Sequence, residues 1–159
     1  MNPCIIVFGN EKGGTGKSTL AMHTSVYLLN SDFKVGTIDV DARQGTFTQY
    51  IERRKESPLK LALSKHTTIH RSRLDGTQES EKEESERFHE AMEKTSDCDF
   101  IVIDTPGNDA FLSRLAHTFA DTLVTPLNES FVDLDVLVKI SNCNKIMHPS
   151  IYAEMVWNQ

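Results

Sequence analysis

The chain has 159 residues, 38% of them apolar and 25% charged, and carries a net charge of −6 at pH 7. That length suffices for one domain with a real core, and the acidic balance excludes a wholly basic nucleic-acid binder. Three dispersed cysteines (Cys4, Cys98, Cys143) form no metal-type pair, no apolar run approaches a membrane span, and MNPCIIVFG lacks the basic start of a signal peptide, so the expectation is a soluble cytoplasmic protein with reduced thiols.

Ile5 to Phe8 is a β-branched and aromatic run that reads as a buried strand ending at Gly9. Apolar residues then recur at Leu20, Ala21, Tyr27, Leu28 and Leu29, predicting a helix from near Lys17 to Asn30-Ser31-Asp32. Val35 to Ile38 is a second strand, and Phe47 to about Lys55 a second helix, broken before Pro58. Residues 56 to about 79 are polar and weakly periodic, and read as an irregular excursion. Phe88, Ala91 and Met92 mark one face of a Glu-rich helix. Phe100 to Ile103 is the clearest buried strand. A helix from Ala110 to Phe119, a strand from Leu123 to Pro126, a helix from Val132 to Ile140 and a last strand from Ile151 to Trp157 complete the pass. Strands alternating with helices imply crossovers, a mainly parallel sheet and helices on both faces. The fold class is therefore three-layer α/β/α with a mainly parallel sheet, in one domain spanning 1–159.

The net charge hides an asymmetry. Arg53 to Arg73 holds seven Lys or Arg against one Glu, while Leu74 to Asp99 holds ten acids against three bases. Both blocks read as solvated surface, with contact between the basic block and phosphates as the sharper alternative. A few such contacts on an acidic chain predict only weak, salt-sensitive DNA binding. His66 and His70 are four apart but lack other ligands nearby, which argues against a metal there.

The chemistry lies in GNEKGGTGKST, Gly9 to Thr19. A phosphate loop has a glycine, four free positions and Gly-Lys-Ser/Thr; here Glu11 stands at the first glycine, with Lys12 beside it. Strand, glycine-rich turn and helix supply the right context. Gly13, Gly14 and Gly16 are expected to take positive φ and bring the backbone close to a polyphosphate. The stretch from Gly13 through Thr15 to Thr19 then presents amide donors and a helix N-terminus. Lys17 would reach the β- and γ-phosphates of ATP, and Ser18 would place its hydroxyl on Mg²⁺. Lys12 would be repelled by Lys17 from the same phosphates, so it is expected to point outward. There it would act as a cation in trans on a second subunit's nucleotide.

Two further segments extend the site. Asp39 and Asp41, in IDVDARQGT, lie at the C-terminal end of a strand, where ligands bind in open α/β sheets. One would hold a metal-bound water and the other orient the water attacking the γ-phosphate; the alternative is a helix cap before Phe47. FIVIDTPG, Phe100 to Gly107, ends its strand in Asp104, which fits a residue gripping Mg²⁺ through water. Thr105-Pro106-Gly107 reads as a mobile γ-phosphate sensor.

KGGTGKS, Lys12 to Ser18, resembles the deviant Walker A signature of the ParA/MinD family of dimerising ATPases. GNEKGG, the DARQ turn, YIERR (Tyr50 to Arg54) and TPLNESFVDLD (Thr125 to Asp135) are similar to stretches of its MipZ branch. The resemblance implies that Lys12 acts across a homodimer formed with ATP, that Asp41 serves the attacking water, and that Asp41 to Thr46 is switch I and Thr105 to Gly107 switch II. It also implies a role in cell division and chromosome partitioning, with a ParB-like protein, FtsZ and nonspecific DNA as partners. Relatives of this type continue beyond the point matching Gln159, so a C-terminally shortened chain with weak ATPase activity and an uncovered last strand is expected. A metabolic enzyme with the same loop, of the amidoligase or nitrogenase iron protein kind, and a non-catalytic interaction module remain as alternatives.

Overall fold

The β-branched run Cys4–Phe8 (β1) lies between two other parallel strands, Phe100–Asp104 (β4) and Thr122–Val124 (β5), in a computed structural model that describes residues 2–72, 77–108, 110–128, 137–140 and 146–157. Val35–Asp39 (β2) pairs with β4, and Lys65–Thr68 (β3) pairs with β2 at the edge, giving the all-parallel order β3-β2-β4-β1-β5. The four connecting helices are Lys17–Asn30 (α1), Thr46–Lys55 (α2), Gln78–Lys94 (α3) and Phe111–Thr118 (α4). The three-layer α/β/α architecture is as expected.

Alternation along the strands divides the core between the two faces of the sheet. Ile101 and Ile103 of β4 pack with Phe88 and Ala91 of α3 and Leu112 and Ala116 of α4. Val102, between them, packs with Ala21, Leu28 and Leu29 of α1 and Phe47 and Ile51 of α2. Each large side chain removed from water in this way contributes roughly 1.5–3 kcal/mol, which is why the period-2 strand and the period-3.6 helices find one register.

Register also sets up the chemistry. Asp39 pairs with Asp104 across β2 and β4, and Phe8 pairs with Asp104 across β1 and β4. Two carboxylates therefore end side by side at the C-terminal end of the sheet, next to the loop that leaves β1. Below them α1 stops at a Schellman turn: Phe33 N–H donates to the Leu28 carbonyl and Asp32 N–H to that of Leu29, with Asp32 at φ 63°.

Four expectations need correction. The excursion 56–79 is not wholly irregular: Lys65–Thr68 pairs with β2, two threonines suiting a strand on an exposed edge. Residues Ile151 to Trp157 form a helix (α5), not a strand. Ser150 caps it, its Oγ accepting from the Ala153 N–H at 3.0 Å, and Tyr152 and Ala153 are buried. The uncovered last strand is therefore not a feature of this fold. Most of the helix expected over Val132 to Ile140 lies outside the described residues, but Val138–Ile140 (β6) is a strand, antiparallel to Ile146–Pro149 (β7). β5 ends at Val124 rather than Pro126.

The charge blocks are mostly surface. Lys55 pairs with Glu52 and Lys65 with Asp97, so the described part of the basic block is partly neutralised. The acidic block forms α3, opened by a capping box between Thr77 and Ser80 and laced by the pairs Arg87–Glu83 and Lys82–Glu86. Cys4 and Cys98 are free thiols. Among the described residues no helix is long and apolar enough to cross a membrane.

Candidate functional site: the loop after β1

The phosphate loop closes on itself through Lys17. Its ammonium donates to the Lys12 carbonyl at 2.7 Å, spanning the glycine stretch that would wrap a polyphosphate. Lys17 is buried, and burial lowers its pKa, opposed by the charges of Asp104 and Asp41. Gly14 (φ 77°) and Gly16 (φ 90°) adopt the left-handed conformation that the loop demands. Gly13, expected to do the same, does not have positive φ. It stays exposed, and a Cβ built on it meets nothing within 4 Å. Above the loop lies an open cleft of about 240 Å³, lined by Gly13, Gly14 and Gly16 to Thr19 of the loop and by Asp41, Gln44, Thr46, Thr105 and Gly107. The three predicted segments thus converge on one space.

The segment after β4 leans on β1 and the loop. Thr105 donates its backbone N–H and its hydroxyl to the Phe8 carbonyl, at 3.2 and 2.8 Å. Two residues on, Gly107 sits so close to the loop that a Cβ would fall 2.7 Å from Gly13 N and 2.8 Å from the Lys12 carbonyl carbon. Only glycine fits there without moving backbone. Lys12, half-buried, is therefore fixed at its main chain from two sides, by Lys17 and by Gly107.

The aspartates divide their work. Asp104 is buried, and its Oδ1 has no hydrogen-bond partner. Burial first, then the neighbouring charges of Asp39 and Asp41, push its pKa up to about 7, against the Ser18 hydrogen bond and the Lys17 charge. An orphaned carboxylate oxygen beside a serine hydroxyl, at the foot of a phosphate cleft, is the donor set a Mg²⁺ with phosphate ligands takes. Among the described residues no three His, Cys, Asp or Glu side chains group to hold a metal by themselves. The residues present fit Mg²⁺ at Ser18 and Asp104.

Asp39 sits differently from its expected metal role. Its Oδ1 accepts from the Asp41 N–H at 2.9 Å, and its Oδ2 from the backbone N–H and hydroxyl of Thr48, at 2.9 and 2.7 Å. Asp39 thus caps α2 from the neighbouring strand and holds the Asp41 backbone, the capping alternative that the sequence left open. Asp41 itself opens the switch I turn, its carbonyl accepting from Gln44 and Gly45. Its carboxyl pKa is raised, mainly by burial.

The sequence profile of the ATPase MipZ family matches residues 4–159. The chain belongs to the MipZ family. No individually characterised protein matches it significantly by sequence. Solved structures share the fold of this MipZ-family chain at low identity. A putative plasmid partition protein of Borrelia burgdorferi B31 bound to AMPPNP is 21% identical (TM-score 0.61; 86% of this chain, 67% of that one). A variant of McdA from Cyanothece in complex with ATP is 20% identical (TM-score 0.63; 86% and 60%). The pNOB8 ParA bound to nonspecific DNA is 16% identical (TM-score 0.58; 91% and 64%). The chain thus spans about two thirds or less of the length of these proteins.

Sequence reasoning missed the groups that support this MipZ-type loop from behind. Asn10, almost fully buried, donates its side-chain N–H to the Pro126 carbonyl at 2.6 Å and accepts from the Lys12 N–H at 2.9 Å. Tyr152 of α5 donates its hydroxyl to the Gly9 carbonyl at 3.0 Å and meets Thr125 Oγ1 at 2.7 Å. His117 of α4 packs its Nε2 against Gly9 so tightly that a Cβ there would approach within 2.3 Å. Of these, only the Pro-Ser pair before Ile151 left a local signal, as a helix start.

Proposed function

We propose that this chain is an ATP-hydrolysing switch that dimerises around its nucleotide and serves division-site placement or chromosome partitioning. The observation that carries the reading is the buried Asp104 carboxylate, hydrogen-bonded to Ser18 and with its Oδ1 left without a partner, next to the cleft that Lys17 and Ser18 line. On triphosphate binding Lys17 would exchange the Lys12 carbonyl for β- and γ-phosphate oxygens, and the amides from Gly13 to Thr19 would take the rest. Mg²⁺, held by Ser18 and Asp104, would neutralise charge on those phosphates when bound. Asp41, on the rim of the same cleft, would orient the attacking water. Lys12 would serve the partner's nucleotide in trans, its main chain being fixed by Lys17 and Gly107 while Gly13 leaves the face open to a second copy.

The family resemblance extends the reading to a ParB-like protein and FtsZ as partners, in the cytoplasm. Nonspecific DNA is a further partner, supported by the fold shared with the pNOB8 protein. Sedimentation velocity with Mg–ATP and with ADP tests the switch. Wild type should dimerise with ATP alone, and Lys12→Ala should stay monomeric while still binding nucleotide. Identical sedimentation of both chains with ATP would reject the sandwich.

A further inference from the structure

Behind switch I runs a chain of side-chain hydrogen bonds that the nucleotide reading does not use. Thr37 Oγ1 lies 2.9 Å from Ser64 Oγ and 2.9 Å from His66 Nδ1. His66 Nε2 lies 3.1 Å from Thr48 Oγ1, which in turn lies 2.7 Å from Asp39 Oδ2. Asp39 Oδ1 then receives the Asp41 N–H. The chain begins between β2 and β3, crosses the first turn of α2 and ends on the backbone of Asp41.

Proton counting gives it a direction. A hydroxyl has one proton and two lone pairs, and a carboxylate only accepts. The Thr48 proton therefore goes to Asp39, leaving its lone pairs for Thr68 Oγ1, at 2.9 Å, and for His66. Thr68 Oγ1 also lies 3.3 Å from His66 Nε2, but its one proton goes to the nearer Thr48, so Nε2 carries a hydrogen, Nδ1 of the neutral ring accepts from Thr37, and Ser64 donates to Thr37. We infer that His66, locked as its Nε2–H tautomer, and Thr48 are positioning residues that hold Asp39, and through it the backbone of Asp41, in the hydrolytic arrangement of switch I. The ring is half-buried, and burial lowers its pKa, which keeps it neutral near pH 7. Thr48 and His66 do not line the phosphate cleft, so they act on the water-orienting step rather than on nucleotide binding. The inference rests on Asp41 being the hydrolytic residue.

The test uses the full chain. Long-range ¹H–¹⁵N correlation at pH 7 should show His66 protonated on Nε2; protonation on Nδ1 would overturn the chain's direction. Thr48→Val, nearly isosteric, should lower kcat for Mg–ATP roughly 10- to 100-fold by letting Asp41 drift. KM should stay within about twofold. Thr48→Ser, which keeps the hydroxyl, should remain near wild type. His66→Gln, with a donor near the Nε2 position, should retain more activity than His66→Leu. Equal losses in Thr48→Val and Thr48→Ser, or a loss seen only in KM, would overturn the positioning role. If Asp41→Ala itself left turnover intact, the nucleotide reading would fail instead. The chain would still be judged by the Asp41 amide proton shift, which should move in Thr48→Val and not in Thr48→Ser; no movement would overturn it.

Discussion

Replacing His117 with Leu should make the ligand-free chain more resistant to acid, by an amount the structure sets. Both ring nitrogens of His117 are buried without a hydrogen-bond partner, and burial alone pushes the pKa from 6.5 down to about 4. The unfolded chain therefore binds a proton between those values that the folded chain refuses. With more protons on the unfolded state, stability rises with pH across this window and is lost as pH falls from about 6.5 toward 4. Going from pH 7 to pH 5, the linkage amounts to about 2 kcal/mol. Leu cannot be protonated, so the variant should escape this loss. In a chain of this size the difference corresponds to about 4–8 °C in Tm. Urea or thermal unfolding of both chains at pH 5, 6 and 7 measures it, and the difference between them cancels titrations elsewhere. At pH 7 Leu should already be at least as stable, since two unpaired buried polar atoms disappear. If the stability gap were the same at pH 5 as at pH 7, His117 would not be the neutral buried ring described here.

Three further outcomes follow from the loop and its switches. Lys17→Ala should abolish triphosphate binding, because the buried cation that closes the loop is gone; fluorescent ATP titration checks it, and unchanged affinity would reject the site. Asp41→Ala should spare binding but slow hydrolysis on the order of 10²-fold, as expected for a polar group acting on the transition state; single-turnover assays that match wild type would remove it from catalysis. Gly107→Ala should push switch II off the loop at Lys12–Gly13, where a Cβ would lie 2.7 Å from backbone nitrogen. Nucleotide-dependent dimerisation should weaken with little loss of monomer stability, a combination that sedimentation and thermal unfolding resolve, and wild-type dimerisation in this variant would show that the contact is dispensable.

What could be read from the sequence was what repeats or clusters locally. The Phe100 to Ile103 run, with alternate residues facing the two helix layers, announced its strand, and Gly-Lys-Ser between strand and helix announced the loop. Residues 65–68 were hidden because an edge strand needs no apolar face; its partner β2, distant in sequence, makes it a strand. Ile151 to Trp157 misled because a seven-residue helix has too few turns to display a period, and its apolar content alone suggests a strand. The capping Ser150 after Pro149 outweighed that content. At the site, the deviant lysine and the aspartates were legible as residue types, but not the division of labour between Asp39 and Asp41. Hydrogen bonds from Thr48, nine residues on, are what tie Asp39 to α2.

The same geometry bears on how an α5 residue reaches the nucleotide site. Tyr152, 143 positions after Gly9, donates to the Gly9 carbonyl at the end of β1, and its ring stacks edge-on against His117 at 5.9 Å. Gly9 N–H meanwhile donates to the Val124 carbonyl, and Asn10 reaches Pro126. The loop's entry is thus pinned on three sides by β5, α4 and α5, while Gly13 and Gly14 stay exposed. A loop anchored at its entry and open at its glycines can seat phosphates against its amides and still present Lys12 and Gly13 to a second copy. In the proposed reading, binding draws on Lys17 and the amides from Gly13 to Thr19, and dimerisation on Lys12 and Gly13, within one eleven-residue stretch, Gly9 to Thr19. That separation is why Lys17→Ala and Lys12→Ala should fail in different assays.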